Sequence, residues 1–145
     1  MFDYFGLGCR SVSKLYLPVG FNTDRLFEAF YSFGDIIHHH KYKNNYDYNN
    51  ATLILTKQTF LTNDFLILKE DKSIGSRIAT LHYEHYHDIE VLTKALKGQM
   101  EGLQCVASKD PINHIDHIPL GRCQQPTLSD YADHIDTMSF LTQLS

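Results

Sequence analysis

The stretch SVSKLYLPVGFNTDRLFEAFYSFG, residues 11–34, decides the fold class because it joins a strand pattern to a helix pattern. Apolar and polar side chains alternate up to Pro18, and this period of two predicts a β-strand over residues 11–18. Asn22 or Thr23 then provides a side-chain oxygen that can cap a helix. The predicted helix has an apolar stripe at helical spacing, made of Leu26, Phe27, Phe30 and Phe33.

The rest of the chain repeats this alternation of strands and helices. Short apolar runs over residues 65–68 (FLIL) and 78–83 (IATLHY) predict two further strands. Asp88 is placed to cap a helix, and residues 103–107 (LQCVA) return to a strand pattern. This order of elements favours an α/β fold with a largely parallel sheet.

Three segments have a less regular pattern. Residues 38–50 are rich in His, Tyr and Asn, which suggests a long loop or the start of a surface helix. Residues 53–60 could be helical or extended. Apolar spacing over residues 129–144 predicts a C-terminal helix. One face of that helix would carry three carboxylates, which could bind a cation but are more often simply solvated: Asp130, Asp133 and Asp136.

The bulk composition limits the classes of function. The chain has 145 residues, the usual size of one domain. Its formal net charge is −4 and it has no basic run, so nucleic acid is not an expected partner. No segment has the pattern of a signal peptide or the roughly 18 apolar residues of a membrane span. Three widely spaced cysteines fit neither a disulfide framework nor a Cys-x-x-Cys metal site, so we expect reduced thiols in a cytoplasmic protein.

Cys9 is the candidate nucleophile. In the segment GLGCRSVSK it follows Gly6 and Gly8, which let the backbone turn sharply and approach a ligand closely. Arg10, and a helix N-terminus following the turn, would favour the reactive thiolate. The residues alone leave a second interpretation open, in which Cys9 is a structural cysteine buried beside a glycine-rich turn.

Four segments of the chain carry a family resemblance: YFGLGCRSVSKLYLP (residues 4–18), HHKYKNNYDYN (39–49), FLILKED (65–71) and QQPTLSDYADHIDTMSFL (124–141). Together they resemble the acyl-CoA reductase family, the LuxC-type fatty-acid reductases of bacterial luminescence, within the aldehyde-dehydrogenase superfamily. The resemblance implies a three-layer α/β sandwich like the catalytic domain of aldehyde dehydrogenases. It also implies that Cys9 attacks a fatty acyl thioester, that its backbone N–H stabilises the oxyanion, and that NADPH reduces the acyl-enzyme to an aldehyde.

The resemblance also implies a cofactor contact and an incomplete enzyme. An acidic residue before a glycine-containing strand contacts the nicotinamide ribose in the superfamily, and Glu70 or Asp71, ahead of Gly75, resembles it. A solvated charged turn is the other interpretation of these two residues. Family members are several hundred residues long and bind the nucleotide mostly through an upstream domain. We therefore expect residues 1–145 to be a single catalytic domain without that upstream domain, able to associate with a nucleotide-binding domain or a second copy.

Other functions and sites stay open at this point. The chain could transfer or hydrolyse acyl groups without hydride, or be a non-catalytic remnant or interaction module. The acyl donor could be CoA or an acyl-carrier protein. Cys105 is interpreted as a core residue and Cys123 as a structural one. Two histidine groups, His38 to His40 and His82 with His85 and His87, could suggest a metal site. Adjacent histidines alternate faces in an extended chain, and no Cys or carboxylate pattern of zinc spacing accompanies His85 and His87, so no metal is expected.

Overall fold

The computed structural model describes residues 1–144, which fall into two compact units. The first unit, Met1–His87, holds the β-sheet and two α-helices. The second unit, residues 88–144, holds two more α-helices in largely irregular chain. None of the helices in residues 1–144 is long and apolar enough to pass through a lipid bilayer.

Four strands form one open, mixed sheet in the first unit. Strand β4 pairs in parallel with both β1 and β3, whereas β2 is antiparallel to β3, which gives the spatial order β1-β4-β3-β2. The predicted α/β class is confirmed, as are the strands predicted within residues 11–18, 65–68 and 78–83. The strands are β1 Lys14–Pro18, β2 Leu61–Thr62, β3 Ile67–Glu70 and β4 Thr80–Tyr86.

Helix α1, Asp24–Phe30, follows β1 as the sequence predicts. The Asn22 side chain accepts a hydrogen bond of 2.9 Å from the Asp24 N–H, which satisfies one of the donors that a helix start leaves free. The chain then tightens into a 3-10 helix, Tyr31–His38.

Helix α2 spans His40–Leu55, so the long loop predicted for residues 38–50 is wrong and the alternative, the start of a helix, is right. Most of its side chains are polar and exposed, which masks the helical period. Its buried residues nevertheless lie at i, i+4 and i+7, the spacing of one helix face. They are Tyr42, Tyr46 and Asn49.

The two faces of the sheet pack against different helices. Leu68 and Leu81 point to one face and cluster with side chains of α1, including Phe30. Ile67, one residue before Leu68, points to the opposite face and packs with Tyr42 of α2. Helices α1 and α2 therefore cover opposite faces of the sheet.

Lys14 joins β1 to two distant parts of the first unit. Its side chain is only 4% exposed, and its Nζ lies 2.6 Å from the Glu84 carboxylate of β4. The same ammonium donates a 2.7 Å hydrogen bond to the Lys72 carbonyl, in the loop after β3. A buried cation needs such partners because it has left its hydration shell.

The second unit opens with helix α3, Ile89–Lys97. Asp88 caps this helix as predicted, since its side chain accepts a 2.7 Å hydrogen bond from the Glu90 N–H. The strand predicted for residues 103–107 is wrong, because the segment has only an isolated bridge from Ala107 to Ile118. Cys105 is accordingly half-buried in irregular chain and not part of a strand in the core.

The C-terminal segment is helical in part. It contains a 3-10 turn, Ala132–His134, and the short helix α4, Thr137–Thr142. Asp133 has a φ of +54°, and Asp136 caps α4 by accepting a hydrogen bond from the Ser139 N–H. The prediction that Asp130, Asp133 and Asp136 share one helix face is therefore wrong.

Candidate functional site

Cys9 lies at the second position of a tight turn ahead of β1. The turn is closed by a 2.8 Å hydrogen bond from the Ser11 N–H to the Gly8 carbonyl, and the Cys9 side chain is exposed to solvent. A side chain at position 8 would be crowded, because a Cβ there would lie 3.1 Å from the Ser11 hydroxyl. Gly6 needs to be glycine for another reason, since its φ is +80°. The two glycines therefore fix an exposed thiol on a compact turn.

The surroundings of Cys9 differ from the expectation in two respects. No helix begins after the turn, because the next regular element is β1, so the predicted helix N-terminus beside the thiol is wrong. Cys9 is also exposed, which contradicts the interpretation of a buried structural cysteine. The turn therefore presents an accessible thiol, but no helix N-terminus is present to stabilise the thiolate through the helix dipole.

Glu70 lies in the same row of the sheet as the start of β1. The register aligns Leu15, Tyr83 and Glu70 across three neighbouring strands, so Glu70 is two strand spacings, roughly 9.5 Å, from Leu15. The pKa of Tyr83 is raised, first by burial and then by the carboxylate of Glu70. The Glu70 side chain is exposed, and its carboxylate accepts no hydrogen bond from residues 1–144, which leaves its oxygens able to accept from hydroxyl donors.

Asp71, the other predicted cofactor residue, is already engaged. One carboxylate oxygen lies 2.5 Å from the Lys69 ammonium, and the other accepts a 2.8 Å hydrogen bond from the Ser73 N–H. These contacts, with Lys69 the larger cause, hold the Asp71 pKa below its usual range. Of the two candidates, Glu70 is therefore the one available to a ribose.

Asp71 is also part of a solvent-accessible cavity of about 320 Å³, which we call the polar cleft. It opens between α2 and the face of the sheet opposite α1. It does not include Cys9. The cleft is lined by Asn49, Thr52, Leu53, Thr56, Gln58, Lys69, Asp71, Ser73, Gly75, Arg77, Thr80 and His82.

Strand alternation explains how the polar cleft forms. Lys69 pairs directly with His82, and Ile67 pairs with Thr80, so all four side chains point to the same face. The apolar contact with α2 is made at Ile67. The rest of that face is polar, and its side chains line the cleft: Lys69, Thr80 and His82.

Two polar groups in the polar cleft lack a protein partner. The Thr80 hydroxyl is buried and forms no hydrogen bond to any atom of residues 1–144. His82 donates through Nδ1 to the Ser73 carbonyl at 3.0 Å, because a carbonyl oxygen can only accept. That assignment makes Nε2 of a neutral ring an acceptor, and no described residue bonds to it.

The remaining cysteines and histidines do not converge on a site. Cys105 and Cys123 form no disulfide bond within residues 1–144 and are half-buried. His38, His39 and His40 fall at the junction of two helices, where the backbone is extended at His39. Over residues 1–144, no group of three or more His, Cys, Asp or Glu side chains is arranged to hold a metal ion.

The chain has no counterpart in comparisons with known proteins: no protein-family model, no curated protein and no solved structure matches it.

Arg77 and Thr80 carry no functional motif in the sequence, and His82 is suggestive there only as a metal ligand. These residues come together through the strand register and through α2, for which the sequence left a loop and the start of a helix as alternatives. The segment FLILKED does contain a pattern that could have indicated the cleft. Lys69 and Asp71 are two residues apart, so in a strand both side chains point to the same, otherwise buried face.

Proposed function

We propose that this chain forms acyl-enzymes with thioester substrates through Cys9, as the nucleophile-bearing part of an NADPH-dependent acyl-CoA reductase. The observation that supports this most directly is the exposed thiol, fixed between Gly8 and Ser11 on a closed turn. Solvent exposure of the thiol is required if a bulky acyl donor is to reach it.

In the proposed step, the Cys9 thiolate attacks the carbonyl carbon of a fatty acyl thioester. A new carbon–sulfur bond forms, and the bond to the donor sulfur breaks, so CoA or the carrier thiol leaves. The thiol proton passes to solvent when the thiolate forms, and the departing thiolate is protonated from solvent. Such an exchange between thiol and thioester needs no oxidant or reductant.

Reduction belongs to the larger assembly that the proposal implies. When bound, NADPH would supply the hydride that converts the acyl group to an aldehyde. The residue of this chain that fits a contact with the cofactor ribose is Glu70, since its carboxylate has no other partner in residues 1–144, whereas Asp71 is engaged by Lys69 and Ser73. We assign the rest of the nucleotide site to an upstream domain.

We also propose that residues 1–145 act as one catalytic domain, with the three-layer sandwich fold of aldehyde-dehydrogenase catalytic domains. Helices on opposite faces of a mixed sheet support the sandwich in the first unit. We propose a cytoplasmic location, which is supported by the absence of a disulfide bond among the three cysteines of residues 1–144.

Acylation of Cys9 is tested by intact-mass spectrometry after the chain is incubated with a long-chain acyl-CoA. We expect one acyl adduct in the wild type and in Cys123→Ala, and none in Cys9→Ala. Cys123→Ala is the matched control because it removes a cysteine that forms no disulfide, at a half-buried position outside the Cys9 turn.

Two other results would lead to different conclusions. Equal and slow acylation of all three thiols would contradict the proposed role of Cys9. An adduct on Cys9 that hydrolyses without NADPH would instead favour the thioesterase-like alternative.

A further inference from the structure

The polar cleft has the charge of an anion site. Lys69 and Arg77 are the strongly basic side chains among its lining residues, and Asp71 is the only carboxylate among them. Both oxygens of Asp71 are already engaged, by Lys69 and by the Ser73 N–H, so its charge is compensated within the protein. Arg77 contributes an additional positive charge without an ion pair in residues 1–144.

Arg77 is free to bind a ligand. Its closest polar contact is the Asn49 side-chain oxygen at 3.5 Å, the limit of a hydrogen bond, and the residue is exposed. A guanidinium carries five N–H donors in a planar fork, a geometry that matches the oxygens of phosphate and carboxylate groups. Most of the donors of Arg77 therefore remain available in the cleft.

The Thr80 hydroxyl provides a second, independent indication of a ligand. Thr80 is only 8% exposed and lines the polar cleft, yet its hydroxyl has no partner in the described chain. Buried hydroxyls without partners are rare because they lose their hydrogen bonds to water. A bound oxyanion would accept a hydrogen bond from this hydroxyl.

We propose that the polar cleft binds a small phosphate monoester that carries hydroxyl groups, such as a sugar phosphate. The phosphoryl group is held by Arg77, Lys69 and the Thr80 hydroxyl. A cavity of about 320 Å³ lies at the lower end of ordinary ligand pockets, and it has room for more than a lone phosphate. The additional lining groups, Asn49 and Gln58, offer the amide donors and acceptors that ligand hydroxyls require.

This inference goes beyond the acyl chemistry proposed for Cys9 and does not depend on it, because Cys9 is not part of the polar cleft. Cys9→Ala should abolish acylation and leave phosphate-ester binding unchanged. The two proposals can therefore fail separately.

The test is isothermal titration calorimetry of the full chain with ribose 5-phosphate, ribose and inorganic phosphate. We expect saturable binding of ribose 5-phosphate and no binding of ribose. Arg77→Ala should weaken binding at least about ten-fold, because it removes charge-assisted hydrogen bonds. Arg25→Ala is the matched control, since it removes the same charge from α1, on the opposite face of the sheet, and should leave affinity unchanged.

Comparison of the phosphorylated ligands distinguishes the sources of the phosphoryl group. Tighter binding of ribose 5-phosphate than of inorganic phosphate identifies a phosphorylated sugar, and equal binding identifies free phosphate. Tight binding of NADPH but not of NADH would identify the 2′-phosphate of the nucleotide, which is also a phosphate monoester.

Four results would overturn the proposal: no saturable binding of any phosphate, equal affinity in wild type and Arg77→Ala, binding of ribose as tight as that of its phosphate, or binding of inorganic phosphate as tight as that of ribose 5-phosphate. Thr80→Val serves as a second variant that does not rely on charge. It should weaken ribose 5-phosphate binding several-fold while the unliganded protein keeps its thermal midpoint or gains stability.

Discussion

Thr80→Val is expected to make the unliganded protein more stable, although the change lies at a buried position of β4. The substitution replaces an unpartnered hydroxyl with a methyl group of similar volume. A buried polar group without a hydrogen bond costs about 1–3 kcal/mol, and valine suits a β-strand at least as well as threonine. We expect a gain of about 1–2 kcal/mol in the free energy of unfolding.

Urea denaturation followed by far-ultraviolet circular dichroism measures this gain. With a slope of about 2 kcal/mol per molar, the unfolding midpoint should rise by roughly 0.5–1 M without a change in slope. Thr80→Ser is the matched control because it keeps the hydroxyl and removes the methyl group. Its midpoint should fall, by an amount equivalent to about 0.8 kcal/mol or more.

The reasoning would be refuted by a lower midpoint for Thr80→Val at unchanged slope. That result would mean that the hydroxyl is hydrogen-bonded in the folded protein, or that this part of the cleft cannot accept a methyl group.

Two further predictions concern groups whose pKa is shifted. Tyr42→Phe should lower the free energy of unfolding by about 1–2 kcal/mol in urea denaturation, because the buried Tyr42 hydroxyl donates to the Phe65 carbonyl at 3.0 Å. An unchanged midpoint would show that this carbonyl finds another donor. Asp71→Asn should lower stability at neutral pH by less than about 1 kcal/mol, since Asp71 and its partner Lys69 are partly exposed. The folded-state pKa of Asp71 is lowered, so its contribution is complete above about pH 4 and is lost as the pH falls through that pKa. The difference between wild type and variant should therefore shrink below about pH 4, and a difference that grows in acid would contradict the assignment.

Local patterns in the sequence were sufficient to predict part of the fold. The alternation before Pro18 and the run FLIL identify β1 and β3, because period-two patterns and apolar runs record which side chains face the core. Asp88 was recognised as a cap because the capping contact joins residues close in sequence. In each case the sequence pattern and the structural element that it predicts lie within the same few neighbouring residues.

Predictions of secondary structure failed where an element depends on a pairing segment far away in the sequence, or where its apolar spacing is weak. Residues 103–107 have the composition of a strand, but a strand needs a neighbour, and only Ala107 forms a bridge. For α2 the sequence left a loop and the start of a helix both open, because Tyr and Asn occupy its buried positions in place of aliphatic residues. The polar cleft could not be predicted without α2, because Asn49 and Thr52 of that helix form one of its walls.

The two contacts of Lys14 have a consequence for the protein during its synthesis. They join β1 to residues 58 and 70 positions further along the chain. At about 5–20 residues per second, a ribosome needs roughly 4–14 s to make the segment from Lys14 to Glu84. Throughout that interval Leu15 and Leu17 have no β4 to pair with. The nascent chain therefore presents an unpaired apolar strand for seconds, a natural target for a chaperone that shields it until β4 emerges.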